Sequence, residues 1–460
     1  MKPINTYHNY FFIGIGGIGM SALAQYFLNR GKNVAGYDQT MTSITERLIN
    51  IGASFINTDN PDLIPFIFKE NKEDTLVIYT PAIKKEENRL LQFFSEKNYE
   101  IIKRAEALSQ IVNSFKLLAV AGTHGKTTTT SLLGHIFQEA GKHPLVFSGG
   151  WMKNYDSNFI DQTNPQFAIC EADEYDRSFL LLQPHDSIIT SVDADHLDIY
   201  GNQGMLKDSF IEFAGHTSND GYILIHENFS ELFKPLKNKK ILSYGISEKA
   251  TIKISNVRID NGITNFVISL PDNTTIDIHT LLHGQHNREN ITAAAALAYF
   301  HNIPPETISG AVSSFKGVKR RFEYIIKTED FIWIDDYAHH PKEINALINT
   351  VKELYPGKTI TAIFQPHLYS RTRDFLNEFA QELDKADIPV ILPVYPAREK
   401  PSAGLTSEHL IKIMKNPNAR LMTPEKLLVN FDKIKSDIVL TIGAGNIDLL
   451  IPEILKRYEN

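Results

Sequence analysis

Short apolar runs alternate with amphipathic stretches along the chain, which is the pattern of strand–helix–strand units around parallel sheets. In the first third this pattern predicts a strand at Tyr10–Ile15, a helix at Met20–Asn29 and a strand at Asn33–Tyr37. Gly31 lies where a glycine that ends a helix is expected. A later strand is predicted at Leu76–Tyr79, so the chain opens with an α/β unit.

A second α/β unit begins after about 110 residues. The pattern predicts a strand at Leu117–Ala121, a glycine-rich turn and a helix at Thr127–Ala140. Further strands are predicted at Phe167–Cys170 and Ile188–Val192. These strands are short and strongly apolar, as expected for a parallel sheet that is covered on both faces.

The chain changes character from residue 250 to 282, where apolar and polar residues alternate as in antiparallel strands. The dipeptide Asn261-Gly262 marks a tight hairpin, so we expect an antiparallel flap attached to the parallel unit. The last third returns to the α/β pattern. Its predicted strands are Phe331–Ile334, Thr359–Phe364, Pro389–Val394 and Ile438–Ile442.

Composition narrows the class of protein. The 460 residues are 42% hydrophobic and 22% charged, with a net charge of −7. The sequence has no block of basic residues, which argues against a nucleic-acid-binding surface. A single cysteine, Cys170, excludes a disulfide framework and fits a reducing compartment. The longest apolar runs are too short to span a bilayer, and the N-terminus lacks the layout of a signal peptide. We expect a cytoplasmic α/β protein that binds neither nucleic acid nor membrane.

A glycine turn follows the first predicted strand. It fits G-x-G-x-x-G and would let backbone N–H groups approach a pyrophosphate at a helix N-terminus. Asp38 follows at the end of the second strand, where a ribose-binding acid is common. Taken alone, this motif is typical of NAD-dependent oxidoreductases, but it specifies only a diphosphate. The predicted ligand-binding residues are Gly14, Gly16, Gly17, Ile18, Gly19 and Asp38.

A second phosphate-binding turn lies between strand Leu117–Ala121 and its helix. Lys126 offers a point charge to β- and γ-phosphates, and the Thr127 hydroxyl is placed for Mg²⁺. Val120 stands where the usual phosphate loop has its first glycine. A nucleoside triphosphate with magnesium is the ligand that this turn favours. Its predicted contacts are Gly122, Thr123, His124, Gly125, Lys126, Thr127 and Thr128.

Acidic residues follow the next two strands of the same unit. Glu171 opens the first acidic cluster, at the strand end where a carboxylate holds Mg²⁺ beside a phosphate loop. His196 lies in the second cluster, between Asp195 and Asp198. Imidazole is not a favoured ligand for a hard ion, so His196 is predicted either to attend a second cation or to orient its ligands.

Together, Gly122–Thr127, Glu171–Asp176 and Asp195–Asp198 resemble the Mur ligase family, and the resemblance covers essentially the whole chain. It implies three α/β domains: a Rossmann-like UDP-sugar domain at 1–111, a central P-loop-type ATP domain with the flap at 112–321, and a Rossmann-like amino-acid domain at 322–460. The family implies closure of these domains about a hinge near residues 318–324.

The resemblance also implies the remaining site residues. ATP would be contacted by His286, Asn287, Asn290, Arg321 and Asp336. The amino acid would be bound by His339, His367 and Arg371. Leu368 stands where other members carry an arginine, so Arg371 or Arg373 would receive the amino-acid carboxylate. The base for the incoming amine is left open between His339, His340 and solvent.

Within the family, the glycine turn and the segment Phe364–His367 resemble the member that joins L-alanine to UDP-N-acetylmuramate with ATP and Mg²⁺. Lys126, Glu171 and His196 would then be its catalytic residues, and the glycine turn would hold the UDP diphosphate. The alternatives are a ligase that attaches a whole tripeptide, an NAD-dependent oxidoreductase and a non-catalytic nucleotide-binding regulator. The sequence leaves open a monomer or a weak homodimer, the binding order, and the preference among alanine, glycine and serine.

Overall fold

The computed structural model describes residues 2–193, 200–397, 399 and 406–458. The N-terminal sheet is fully parallel, in the order β3-β2-β1-β4-β5. All five residues of its central strand are buried, because helices cover both faces. The strands are β1 Asn9–Ile13, β2 Asn33–Tyr37, β3 Ser54–Ile56, β4 Thr75–Tyr79 and β5 Glu100–Lys103. The helices are α1 Ile18–Leu28, α2 Ser43–Asn50, α3 Phe66–Glu70, α4 Arg89–Glu96 and α5 Arg104–Val112.

The central sheet has ten described strands, in the order β15-β14-β13-β12-β11-β10-β6-β9-β7-β8. Its strands are β6 Lys116–Ala121, β7 Leu145–Met152, β8 Ser157–Ile160, β9 Phe167–Ala172, β10 Asp186–Ile189, β11 Tyr222–His226, β12 Lys240–Gly245, β13 Ile252–Asp260, β14 Ile263–Ser269 and β15 Thr275–Thr280. Its helices are α6 Lys126–Glu139, α7 Gln203–Gly215, α8 Gln285–Phe300 and α9 Pro305–Ser314.

The predicted antiparallel flap is confirmed as the edge of this central sheet. β13 pairs in parallel with β12, whereas β14 and β15 pair antiparallel. Asn261 and Gly262 have φ values of 52° and 72°, the two positive values that a type I′ hairpin turn needs. The dipeptide Asn261-Gly262 is therefore sufficient to predict the position of the hairpin.

The C-terminal sheet has the order β16-β17-β21-β18-β19-β20, with only β16 antiparallel to its neighbour. Its strands are β16 Glu323–Lys327, β17 Ile332–Asp336, β18 Ile360–Phe364, β19 Ile388–Ile391, β20 Arg420–Leu421 and β21 Ile438–Ile442. The helices are α10 Pro341–Leu354, α11 Tyr369–Asp374, α12 Leu376–Leu383, α13 Ser407–Ile413, α14 Pro424–Ile434 and α15 Leu450–Leu455. These three sheets confirm the predicted three-domain α/β class.

By density of contacts the chain divides into two compact units. The first contains residues 1–258, 264–280 and 289–316, and the second contains 259–263, 281–288 and 317–460. Inside the first unit one apolar cluster runs from the N-terminal sheet to the central sheet, and includes Phe27, Phe147 and Phe159. The side of α1 that faces away from its own sheet is therefore buried against β7 and β8.

Three predicted strand ends are wrong because they lie too far along the chain: the strands predicted to end at Ile15, Val192 and Val394 end at Ile13, Ile189 and Ile391. β10 ends at Ile189 rather than at Val192, and Thr190 and Ser191 follow it beside the phosphate loop. Their backbones still bond Ala121 and Thr123, and their hydroxyls add hydrogen bonds to the His124 backbone. No helix in the described ranges is long and apolar enough to cross a membrane.

Candidate functional site

The turn between β6 and α6 is built for close approach of a ligand to its backbone. Gly122 has a φ of 137°, and Gly125 has a φ of 82° where it caps the N-terminus of α6. A side chain at Gly122 would overlap Thr190, and one at Gly125 would overlap the Asn290 amide. Both positions therefore require glycine, and the first-turn N–H groups of α6 face the space in front of the turn.

Lys126 is the first residue of α6, and its side chain is partly buried at the turn. Its ammonium donates to the Gly122 carbonyl at 2.6 Å and to Glu174 Oε2 at 2.7 Å. Burial lowers the pKa of Lys126, but Glu174 and the neighbouring carboxylates outweigh this effect and leave the pKa raised. The protein thus keeps a charged ammonium at this turn.

Residues behind the turn hold its shape. The Ser191 hydroxyl accepts from the His124 N–H at 2.8 Å and lies 2.9 Å from the Thr123 hydroxyl. Thr190 donates to the His124 carbonyl at 2.5 Å. Sequence reasoning missed both Thr190 and Ser191, because it placed them inside a strand. Val120, the departure from the usual phosphate loop, is a buried strand residue paired with Ile188.

Glu171 lies at the end of β9, beside the phosphate turn. One carboxylate oxygen accepts from the Gly149 N–H at 2.6 Å, and the carboxylate also accepts from the Thr127 hydroxyl. Burial raises the pKa of Glu171, while Lys126 and these hydrogen bonds oppose the rise. A hydroxyl and a carboxylate side by side are the hard oxygen donors that Mg²⁺ prefers.

The second predicted metal position cannot be placed in the same way. His196, with Asp195 and Asp198, lies outside the described residues. Within residues 2–193, 200–397, 399 and 406–458, no group of three or more His, Cys, Asp or Glu side chains is arranged around a metal position. Asp193, the last residue before that segment, donates its N–H to Thr123 Oγ1 at 3.1 Å.

The N-terminal glycine turn forms as predicted between β1 and α1. The N–H groups of Gly14 and Ile15 both donate to the Tyr37 carbonyl, at 2.7 and 3.0 Å. The N–H of Gly16 donates to Asp38 Oδ2 at 2.9 Å, so Asp38 holds the turn against the end of β2. Gly17 caps α1, and Ile18 and Gly19 are its first two residues, whose N–H groups lack helical partners.

Arg104 is a further cation beside this turn. It packs against Gly19, and its Nη2 lies 3.4 Å from Asp173 Oδ2, in the acidic segment that follows β9. The same segment supplies Glu174 to Lys126. The two glycine turns of the first unit are thus connected through Asp173 and Glu174.

His286, Asn287 and Asn290, three of the residues predicted to contact ATP, lie in the first turns of α8. Asn290 belongs to the first unit, where its amide packs against Gly125. Asn287 belongs to the second unit and donates to the His283 carbonyl at 2.7 Å. His286 also lies in the second unit, where its ring is close to Gly284.

The second unit contains a partly buried carboxylate, Asp336, at the end of β17. Asp336 accepts from the N–H groups of Phe322 at 2.7 Å and Ala338 at 2.8 Å. Burial raises the pKa of Asp336 to about 6, against the opposing charge of Arg321. The Arg320 guanidinium donates hydrogen bonds within the same unit, to Asp335 at 3.0 Å and to the Gly443 carbonyl at 2.6 Å. Both guanidinium groups lie near the Tyr337 ring, that of Arg321 at 5.1 Å and that of Arg320 at 5.3 Å from its centroid.

Two of the predicted amino-acid-binding residues lie together at the same end of the C-terminal sheet. The ring centroids of His339 and His367 are 6.3 Å apart, and the His367 ring stacks on Tyr395. Arg371 is the third residue of α11, which begins directly after Leu368. Leu368 has a φ of 69°, which is unusual for a residue with a side chain.

Two alternatives for the amino-acid site are weakened by their contacts. His340 accepts the Lys342 N–H at 3.3 Å as the cap of α10, so its ring serves the helix. Arg373 donates to its neighbour Asp374 at 2.8 Å and is largely exposed. His339 also has local contacts, since its N–H donates to Glu343 at 2.9 Å and its Nδ1 lies 2.9 Å from the Tyr337 carbonyl.

A three-domain α/β chain with a phosphate loop, a lysine at its helix and a carboxylate at the adjacent strand end defines a nucleotide-dependent enzyme. Family models divide it in the same order: "Mur ligase family, catalytic domain" matches residues 9–116, "Mur ligase middle domain" matches 120–298 and "Mur ligase, glutamate ligase domain" matches 320–445. The chain belongs to the Mur ligase family.

Full-length relatives agree with this membership. The UDP-N-acetylmuramate–L-alanine ligase of Flavobacterium johnsoniae is 45% identical over 453 residues, 98% of each chain. The ligase of the same name from Porphyromonas gingivalis strain W83 is 40% identical, over 97% of this chain and 98% of its own. The crystal structure of UDP-N-acetylmuramate-alanine ligase MurC from Thermotoga maritima superposes with a TM-score of 0.82 at 26% identity, covering 98% of this chain and 99% of that one.

Proposed function

We propose that this chain joins L-alanine to the lactoyl carboxylate of UDP-N-acetylmuramate with hydrolysis of ATP to ADP and phosphate, an early step of peptidoglycan-precursor synthesis. The observation that carries the proposal is the full-length match to relatives of that name, through all three domains. The proposed substrates ATP and UDP-N-acetylmuramate are soluble nucleotides, so the cytoplasm is the expected compartment. The domain boundaries at 111/112 and 321/322 remain part of the proposal.

ATP is assigned to the turn between β6 and α6. Gly122 and Gly125 leave room for phosphate oxygens at the backbone, and Lys126 supplies the positive charge. Thr123, His124 and Thr128 lie in the same turn and first helical turn, and Asn290 packs against Gly125. His286, Asn287, Arg321 and Asp336 are proposed for the adenosine end of ATP.

Mg²⁺ is assigned to Thr127 and Glu171, with His196 proposed near a second cation. The fit rests on the direct hydrogen bond between the Thr127 hydroxyl and the Glu171 carboxylate, two hard oxygen donors at the edge of the phosphate turn. When bound there, Mg²⁺ would neutralise phosphate charge during transfer. The partial burial of Glu171 strengthens its interaction with a cation in this setting.

The acceptor is assigned to the N-terminal turn. The N–H groups at Gly17, Ile18 and Gly19 and the positive end of α1 suit a diphosphate. Gly14 and Gly16 allow the tight turn, and Asp38 holds it through the Gly16 N–H. L-Alanine is assigned to His339, His367 and Arg371 in the second unit, with Arg371 proposed to receive the amino-acid carboxylate.

The chemistry follows from the weakness of a carboxylate as an electrophile. Its oxygen attacks the γ-phosphorus of ATP, the bond to the β-phosphate oxygen breaks, and ADP leaves with the electron pair. The resulting acyl phosphate has a stable leaving group, so the alanine amine attacks the carbonyl carbon and phosphate departs. Lys126 stabilises the charge on the transferring oxygens, and His339 is the candidate to accept the proton lost by the amine.

The test is phosphate release by the purified chain with ATP, Mg²⁺ and UDP-N-acetylmuramate, with L-alanine, glycine, L-serine or the tripeptide added in separate reactions. The proposal predicts release that depends on both the acceptor and L-alanine. Release only with the tripeptide would favour the recycling ligase, and no release with any mixture would favour a regulator. Reduction or oxidation of a nicotinamide cofactor would instead support the oxidoreductase.

A further inference from the structure

A guanidinium lies at the positive end of a helix, where a cation is not expected. Arg104 packs against Gly19, the second residue of the eleven-residue helix α1, and a Cβ on Gly19 would overlap the guanidinium. Arg104 is also the first residue of α5. The side chain therefore lies at the N-terminus of α1, which carries a partial positive charge, and its own backbone begins a second helix.

Helix α1 supplies no negative charge that would balance the Arg104 guanidinium. The first turn of α1 contains no acidic residue, and its first N–H groups have no helical acceptors. In α5, Glu106 accepts the Lys103 N–H at 2.6 Å, and Lys103 pairs with Asp176 at 3.2 Å. In the segment after β9, Glu174 pairs with Lys126, and Asp173 accepts the Tyr175 N–H at 3.2 Å through the oxygen that does not contact Arg104.

Asp173 compensates Arg104 only weakly. Among the described residues it is the sole carboxylate within ion-pair distance of Arg104, through one contact of 3.4 Å between partly exposed side chains. The same unit contains a tight pair for comparison: Arg30 contacts both oxygens of Asp161, at 2.7 and 3.3 Å. The Arg104 pair lacks the two-oxygen geometry of a structural ion pair.

We propose that Arg104 is a further acceptor-binding residue, whose guanidinium contacts the diphosphate of the UDP-sugar at the N-terminus of α1, and that Asp173 holds this side chain in the empty protein. The inference rests on the proposed function, because it takes the acceptor to be a uridine diphosphate. An anion between the guanidinium and the helix would be attracted to both positive charges, which otherwise repel each other. Two phosphate oxygens also match the planar fork of an arginine.

Two variants separate this role from a structural ion pair. If Arg104 binds the diphosphate, Arg104→Gln weakens binding, whereas Asp173→Asn removes a competitor and leaves binding unchanged or tighter. A purely structural pair predicts that the two variants weaken binding alike. Lys103→Gln is the matched control, since it removes the adjacent cation and its own ion pair with Asp176.

The experiment is calorimetric titration of the full chain with UDP-N-acetylmuramate, UDP and UMP. Arg104→Gln is expected to weaken UDP-N-acetylmuramate and UDP by roughly 10- to 100-fold, the loss of a charge-assisted contact. UMP, which lacks the second phosphate, should lose much less. Arg104→Lys should recover part of the UDP affinity, and Lys103→Gln should leave the ratio of UDP to UMP affinity unchanged.

The outcomes distinguish this inference from the function on which it rests. If the unaltered chain binds UDP but Arg104→Gln and Arg104→Lys keep its discrimination between UDP and UMP, the inference is overturned and the acceptor assignment stands. Parallel weakening in Arg104→Gln and Asp173→Asn also overturns it. If the unaltered chain binds neither UDP nor UDP-N-acetylmuramate, the acceptor assignment itself fails, and the inference fails with it.

Discussion

Replacing Lys126 with methionine tests the phosphate turn most sharply. The ammonium is held by the Gly122 carbonyl and by Glu174, whose side chain is 1% exposed. Removing a preorganised cation from the transferring phosphoryl group costs about 2–4 kcal/mol, or roughly 30- to 1,000-fold in rate. The substitution also leaves a buried carboxylate without its partner, which costs about 3–5 kcal/mol of stability.

The two effects can be separated with a second change. The double variant Lys126→Met, Glu174→Gln removes both charges, so most of the lost stability should return while phosphate release stays low. Thermal unfolding and acceptor-dependent phosphate release are measured on both variants, with UDP-N-acetylmuramate binding as the control for the N-terminal site. If the double variant regains both stability and activity, Lys126 acts only through the fold and the assignment of ATP to this turn is wrong.

Three further predictions concern residues proposed to bind ATP or Mg²⁺, two through ligand binding and one through the stability of the folded chain. Gly125→Ala should abolish binding of an ATP analogue, because the methyl group overlaps Asn290 and the φ of 82° is strained for alanine; unchanged analogue binding by calorimetry would contradict this. Glu171→Gln should raise the Mg²⁺ concentration needed for half-maximal phosphate release, and an unchanged Mg²⁺ titration would remove Glu171 from the metal site. Burial raises the pKa of Asp336 to about 6, so the folded chain keeps a proton that the unfolded chain has lost. This contribution to stability is present at low pH and is lost as the pH rises toward 6, and Asp336→Asn should flatten that part of a denaturant–pH series; an unaltered slope would refute the assignment.

Much of the framework could be predicted from local sequence. The glycine turns, the apolar strands before them and the dipeptide Asn261-Gly262 each impose a backbone conformation that few residues allow, so their structures follow from the chain itself. Asn33–Tyr37 and Ile438–Ile442 match their predicted bounds. Cys170 is buried in β9, as expected for a small strand residue.

The contacts that support the turns could not be predicted in the same way. Thr190 and Ser191 follow an apolar run in sequence, and only the tertiary structure shows that their hydroxyls bond the His124 backbone in the phosphate turn. Glu174 and Asp173 are two acids among several, and nothing in their spacing shows that one holds Lys126 and the other Arg104. Such pairings depend on residues about 50 to 70 positions apart meeting at strand ends.

The central claim is that ATP activates the acceptor carboxylate by phosphoryl transfer, and an isotope measurement tests it most directly. UDP-N-acetylmuramate labelled with ¹⁸O in its lactoyl carboxylate is incubated with the chain, ATP, Mg²⁺ and L-alanine, and the released phosphate is analysed by mass spectrometry. Attack of the carboxylate on the γ-phosphorus predicts that one labelled oxygen passes into each phosphate formed. Unlabelled phosphate, released in step with amide formation, would contradict the account.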